Sequence, residues 1–382
     1  MRRTKLDLLS RTGGNLVVLG LIVSCLASPA TAQDGSNLPQ SGSALYMVSC
    51  AACHGADGRG VTQSQVGFDV PLPDFTDCDF ASREPYADWA VVAQLGGPSR
   101  GFSDHMPAFQ GVLTVEQTVM ILDHIRTFCR DASWPSGELN LPKPLVTEKA
   151  FPEDEAVFTA TVDAEDTESV MGEIVYEQRI GPRNQVEIVV PFGWTEVEAA
   201  GGETDWGSGI GDIAVGLKRA LYDNLDKGTI FSATAEMILP TGDEARGYGK
   251  GTFVFEPFLA YGQILPLDAF LHAQTGLELP FDTDQASKEA FVRLALGRSF
   301  NLTYGGRTWS PMVELLGSRE LEEGAEFTWD TVPQMQVTLN TRQHIMLCFG
   351  ARIPTTNTEG RNTQAIVYVL LDWFDGSLFE GW

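Results

Sequence analysis

Two periodicities divide the chain. Between residues 114 and 128, Val115, Val119, Leu122, Ile125 and Phe128 recur at three- and four-residue steps, the spacing of one helix face. Thr114, followed by Glu116 and Gln117, marks the start of that helix. An earlier helix runs into Cys50. Gly42 and Tyr46 share one of its faces, and Ser41 and Ser43 are candidate N-caps. From residue 156 onward the period changes to two. Phe231, Ala233, Ala235, Met237 and Leu239 oppose Ser232, Thr234 and Glu236. Ile345, Leu347, Phe349 and Ala351 oppose His344, Cys348 and Arg352, and Met335, Val337 and Leu339 oppose Gln334, Gln336 and Thr338. About twelve strands are predicted, beginning near Ala156, Ser169, Gln185, Gly211, Thr229, Thr252, Ala269, Glu289, Pro311, Trp329, His344 and Gln364.

The connections alternate in length. Gly181–Arg183, Asp223–Gly228, Pro266–Asp268 and Thr341–Gln343 are tight, whereas Thr195–Ile210, Thr241–Lys250, Phe281–Lys288 and Pro354–Thr363 are long and polar. Segments 301–309 and 322–327 follow the rule less closely. Outer-membrane barrels pair short periplasmic turns with long outer loops. An even strand number puts both barrel ends on the short-turn side, so a domain preceding the barrel falls in the periplasm. Trp194, Trp309, Trp329, Trp373, Tyr222, Tyr261 and Tyr304 lie near strand ends, where an aromatic girdle would sit. A soluble β-sandwich is the competing fold for the same alternation.

Residues 134–155 show neither period. Trp134-Pro135-Ser136-Gly137 and Leu141-Pro142-Lys143-Pro144 read as extended or turning backbone, and the segment is expected to be a linker with few contacts. Residues 1–32 carry Arg2, Arg3, Lys5 and Arg11, a short apolar run from Leu16 to Leu26, and Ala30-Thr31-Ala32. This predicts a signal peptide with Gln33 as the first mature residue. The alternative is a lipoprotein box, Ile22-Val23-Ser24-Cys25, acylated at Cys25.

Charge narrows the choice of partner. The chain carries a formal net charge of -25. Four basic residues and one acid in 1–32 leave -28 on residues 33–382, of which -7 falls on 33–133 and -21 on 134–382. Such a surface excludes phosphate-backbone binding, so no nucleic acid partner is expected. Inward Glu173, Glu177, Glu236, Glu278 and Glu314 would line a cation-favouring lumen, or pair with inward Arg179, Lys218 and Arg293.

The chemistry is concentrated in Cys50-Ala51-Ala52-Cys53-His54. This spacing lets two thiols add to the two vinyl groups of a haem and sets an imidazole beside the iron. A zinc or redox Cys pair is the bland alternative, and export to an oxidising compartment weighs against it. Met106, followed by Pro107, is placed to be the second axial ligand, with adjacent His105 as a competitor. Cys78 and Cys129 are a possible disulfide. Cys348, His272 and His344 lack metal-site spacing and read as lumen or strand residues, His124 as a surface residue, and Met47 and Met120 as core or surface.

With Gly42, Tyr46, Cys50, Cys53, His54 and the Met106-Pro107 loop in place, residues 41–130 resemble a class I c-type cytochrome domain. The resemblance implies a small all-α fold whose first and last helices cross at Gly42, and one covalent haem c. It also implies His54 and Met106 on the iron, and one-electron transfer at an exposed haem edge. Residues 156–382 resemble outer-membrane β-barrels of the porin-like and phenol-degradation-associated type, through Gly209-x-Gly211-Asp212 before a strand and an aromatic-ended last strand at Trp373-Phe374. Together they are similar to cytochrome–porin fusions. Those carry a different neighbourhood around the haem cysteines, so iron oxidation does not transfer.

The expected chain is therefore multidomain: signal peptide 1–32, cytochrome domain 33–133, linker 134–155 and an antiparallel all-β barrel at 156–382. The lumen of such a barrel is too narrow for a 90-residue globule with a radius of gyration of roughly 12–13 Å. The haem is thus expected at the periplasmic mouth of an outer-membrane protein. The expected role is an electron carrier, not an enzyme, serving redox proteins in the periplasm or outside the cell and lodged in outer membrane lipid. The alternatives are a solute channel with an accessory haem domain and a soluble periplasmic electron-transfer subunit. A peroxidase-like enzyme is a further class, but no distal acid–base pair is evident.

Overall fold

The computed structural model describes residues 39–68, 70–163, 169–198 and 204–373. The signal peptide with Cys25 and Gln33, and the aromatic end beyond Trp373 at Phe374, lie outside the described residues. The chain divides into two compact units, in the main the helical residues up to Asp131 and the strands from Ala132 onward.

The helical unit contains α1 (Gly42–Ser49), α2 (Ala51–His54), α3 (Gln63–Val66), α4 (Cys78–Arg83), α5 (Tyr86–Leu95) and α6 (Val115–Ile125). Ser41 caps α1, its hydroxyl accepting from the Ala44 N–H. Thr114 and Gln117 form a reciprocal capping box at α6. The apolar spacing of α6 buries Val119, Ile121, Leu122 and Ile125, the last three in one core with Leu45, Tyr46, Phe75, Ala90 and Leu113. At the α1–α6 crossing, a Cβ on Gly42 would lie 1.9 Å from the Met120 carbonyl oxygen, so only glycine lets the two backbones meet. His124 is not a plain surface residue. Its ring packs edge-on against Tyr46 at 5.3 Å and Phe128 at 5.0 Å.

The second unit is a closed antiparallel barrel. Its strands are β1 (Glu155–Asp163), β2 (Ser169–Ile180), β3 (Asn184–Glu198), β4 (Thr204–Ile210), β5 (Ala214–Asn224), β6 (Thr229–Ile238), β7 (Val254–Ile264), β8 (Ala269–Pro280), β9 (Glu289–Arg298), β10 (Phe300–Asn301), β11 (Thr308–Glu320), β12 (Thr328–Thr338), β13 (Ile345–Pro354) and β14 (Gln364–Asp372). Both β4 and β5 pair with β3, and β9 and β10 both pair with β11, so the wall has twelve staves. β1 pairs with β14, Val157 opposite Leu370, and closes the ring.

Alternation sets inside from outside. Leu217 is 62% exposed on the outer wall while its neighbour Lys218 is 2% exposed within. Phe158, Ile188, Leu259, Leu296, Val313, Leu315 and Phe349 also stand exposed. A continuous apolar exterior on a closed antiparallel barrel is the surface that lipid requires. Trp194 and Tyr222 are exposed near strand ends, as a girdle needs, but Trp373 is buried and stacked on Tyr176.

The expectation of a sparsely contacting linker fails. Residues 137–151 fill the lumen as a plug. Leu141 and Leu145 pack with Val157, Val175, Phe270, Met312, Leu316, Val332, Cys348 and Tyr368 of the wall. Leu139, Ala150 and Phe151 pack with Ala220, Ile230 and Ala260. Extended backbone without a strand partner must find hydrogen bonds elsewhere, and the wall supplies them. Glu314 accepts from the Val146 and Thr147 N–H groups at 3.1 and 2.7 Å. Gln334 accepts from Leu145 at 2.9 Å and Gln274 from Glu148 at 3.1 Å. Tyr368 donates to the Lys143 carbonyl, and His272 Nε2 lies 3.0 Å from the Pro142 carbonyl oxygen. Arg179, beside the short turn that follows β2, lies over both Trp134 and Phe151, so the two legs of the plug run together at that end.

Candidate cofactor site

The end of α1 and the single turn of α2 bring the five residues of the Cys-x-x-Cys-His segment together. The Cys50 carbonyl accepts from the Cys53 N–H at 3.2 Å and from the His54 N–H at 2.9 Å, so both thiols and the imidazole project from one helical turn. Gly55 ends that turn. Tyr46, fully buried, donates through its hydroxyl to the Gly55 carbonyl at 2.7 Å and also reaches that of His54 at 3.3 Å. The core of the unit thus fixes the backbone carrying His54. The motif alone did not point to this role for Tyr46.

The oxidation states of the cysteines differ within the unit. Cys78 and Cys129 are joined in a disulfide, with Cα atoms 5.0 Å apart. Cys50 and Cys53 are free and half-buried. Two unpaired thiols held on one turn, beside an oxidised pair, are the donor set that a covalently attached haem uses. Burial, with the neighbouring Cys53 charge second, pushes the Cys50 thiol up to about 11. Burial alone pushes the His54 imidazole down to about 4, which keeps it neutral, the form a metal ion accepts. Its Nδ1 is buried without a hydrogen-bond partner, and the ring lies 5.1 Å from that of Phe75.

Met106 and His105 are placed differently. The Met106 N–H donates to the Ser103 carbonyl at 3.2 Å, and its own carbonyl accepts from Gly97 at 3.0 Å. This residue is half-buried. His105 is exposed and stacked on Phe68 at 4.3 Å, turned to a surface ring.

Elsewhere, Cys348 is buried on the inner wall, and His272 faces the lumen against the plug. The ring of His344 pairs with Asp372. Of the inward acids, Glu177 takes the expected pairing with Lys218, at 3.2 Å, while Glu314 takes a role not expected of it and binds plug backbone.

Residues 39–128 match the family model of cytochrome c, and residues 154–345, half of the chain, match the family described as "Putative MetA-pathway of phenol degradation". The first match implies one covalently attached haem c. No curated protein matches the chain by sequence. Among solved structures, an outer membrane channel from Pseudomonas putida F1 is similar at 13% identity and TM-score 0.41, covering 60% of this chain and 99% of that one. The KdgM porin is similar at 9% identity and TM-score 0.39, covering 57% and 99%. The NanC porin gives 8% and 0.36, covering 57% and 98%.

Proposed function

Since this chain belongs to the MetA-pathway phenol-degradation family and carries a cytochrome c domain ahead of its barrel, we propose that it is a monohaem electron carrier anchored in the outer membrane. The observation that carries the reading is the single helical turn presenting free Cys50, free Cys53 and His54. Bound haem supplies exchange of one electron between ferrous and ferric iron. The residues do the rest. Cys50 and Cys53 hold it through thioethers, each S–H adding across a vinyl C=C with the hydrogen passing to carbon. His54 would offer its imidazole to the iron, and Tyr46 holds the backbone that carries it. Met106 would offer a thioether as the second ligand, while His105 is stacked on Phe68. A thioether ligand favours the ferrous state and raises the potential.

Both ends of the barrel, Glu155 and Asp372, pair with each other on the short-turn side, so the chain enters β1 from that side. The cytochrome domain therefore belongs in the periplasm and exchanges electrons with redox proteins there or outside the cell. The plug favours electron transfer over solute flow, since residues 137–151 occupy the lumen. A second reading, a solute channel with an accessory haem domain, draws on a cavity of about 200 Å³ beyond the plug tip, lined by Val146, Glu278, Glu289, Arg293, Asp330 and Arg352. Redox titration of the purified protein tests the haem ligands, and solute flux separates the readings. One transition with one-electron slope, moved to lower potential by Met106→Ala, is expected. An unchanged potential in that variant would refute the ligand assignment, and solute flux persisting in a Cys50→Ser variant would favour the channel.

A further inference from the structure

The barrel register sets a row of acids side by side on the inner wall. Straight across the strands, Asp372 faces Glu155, Glu155 faces Glu177, Glu177 faces Glu187, Glu187 faces Gly216, Gly216 faces Glu236, and Glu236 faces Glu256. Like charges directly opposite on neighbouring strands destabilise a sheet, and a dry interior enlarges the cost. Part of the row is answered: Lys149 lies 2.9 Å from Glu155, and Lys218 lies 3.2 Å from Glu177.

Glu187 has no ion pair of its own among the described residues: it is 5% exposed, and Lys218, the base whose charge it feels, is paired with Glu177. Its oxygen lies within 4.8 Å of those of Glu177 on the wall and Glu148 on the plug. Glu177 Oε2 is buried without a partner. One stave on, a Cβ at Gly216 would lie 3.4 Å from Glu187 Oε1 and 3.7 Å from Glu236 Oε2, so both carboxylates face the space that this glycine leaves.

Charge and distance agree on what would fill it. Four carboxylates, Glu148, Glu177, Glu187 and Glu236, meet two ammonium groups, Lys218 and Lys143, the latter 3.0 Å from Glu148. With all four carboxylates ionised, two negative charges would exceed the bases, an excess that a bound divalent cation offsets. A set made of protein carboxylates alone is one that Ca²⁺ takes readily, whereas Mg²⁺ keeps several waters and is seldom held by an all-protein cage. We propose that Glu148, Glu177 and Glu187, with Glu236 beside them, bind one divalent cation of the calcium type between the plug and the barrel wall. The ion ties a carboxylate of the plug to two of the wall, so the plug is held by metal as well as by hydrogen bonds.

The test uses full-length haem-loaded protein in detergent, stripped with a chelator and titrated with CaCl₂ by calorimetry, with heat-modifiable gel migration read in parallel. One equivalent of Ca²⁺ is expected to bind and to raise the temperature at which the barrel unfolds. Glu187→Gln and Glu148→Gln should each weaken binding about tenfold or more, while Glu320→Gln leaves it unchanged. Because Glu148 lies on the plug and not in a strand, its variant keeps the test open should the Glu187 variant fail to fold. Absence of Ca²⁺ binding to the wild type, or equal affinity in wild type and Glu148→Gln, overturns the proposal. A metal-free Glu187→Gln protein more stable than a wild type that binds no ion would show that the row only stores repulsion, and overturns it too.

Discussion

In the helical unit, Cys50, Cys53 and His54 come from one turn and are adjacent in sequence. In the barrel, Glu148, Glu177 and Glu187 come from a plug and two staves, and only register and the path of the plug bring them together. The first arrangement is set by local geometry, so the unit needs a small core and one close helix crossing to hold it. The second depends on the whole wall, so its polar groups are secured by one another. Loss of a residue should then act locally in the helical unit and spread through the lumen in the barrel.

The largest test of that contrast removes both thiols. Cys50→Ala with Cys53→Ala should abolish covalent haem, read as loss of haem staining on a denaturing gel, while the barrel keeps its heat-modifiable migration. Next is Gly42→Val. Its side chain would collide with the Met120 carbonyl, and the helical unit should lose about 3 kcal/mol, read as a lower denaturant midpoint at the haem band. Comparable in size but placed in the barrel, Glu314→Ala leaves the Val146 and Thr147 N–H groups and the Gln334 amide without their acceptor, at a cost of about 2–3 kcal/mol. It should also raise ion conductance in planar bilayers, since the plug tip is released. The smallest effect expected is Thr114→Ala, which removes the cap of α6 and about 1 kcal/mol. It should lower the midpoint of the helical unit and leave bilayer conductance unchanged.

The same contrast explains what sequence alone could convey. Period-two alternation placed the wall well. Strands expected near Ser169, Thr229, Ala269, Glu289 and Gln364 begin at those residues. The fourth stave, expected from Gly211, is instead split into β4 from Thr204 and β5 from Ala214, because the Gly211–Asp212 step breaks the ladder between them. Helix spacing and caps placed α1 and α6, and Gly42 marked their crossing. The plug was missed for a physical reason. Its extended, proline-containing backbone has no period, and its partners, Glu314, Gln334, Gln274 and Tyr368, lie over a hundred residues away. Inward glutamates were visible as candidates, but not which of them meet. That depends on register across strands, and Glu148 came from a segment read as a linker. Trp373 was read as a girdle residue from its place at a strand end, yet packing against Tyr176 buries it.

The central claim is that this protein moves electrons and keeps its lumen closed. The most direct measurement is solute flux in liposomes loaded with the full-length, haem-containing protein, compared with a deletion of residues 138–150. Sugar flux no faster than in protein-free vesicles is expected for the wild type, and a marked rise for the deletion. Rapid sugar flux through the wild type, matching the deletion, would contradict it.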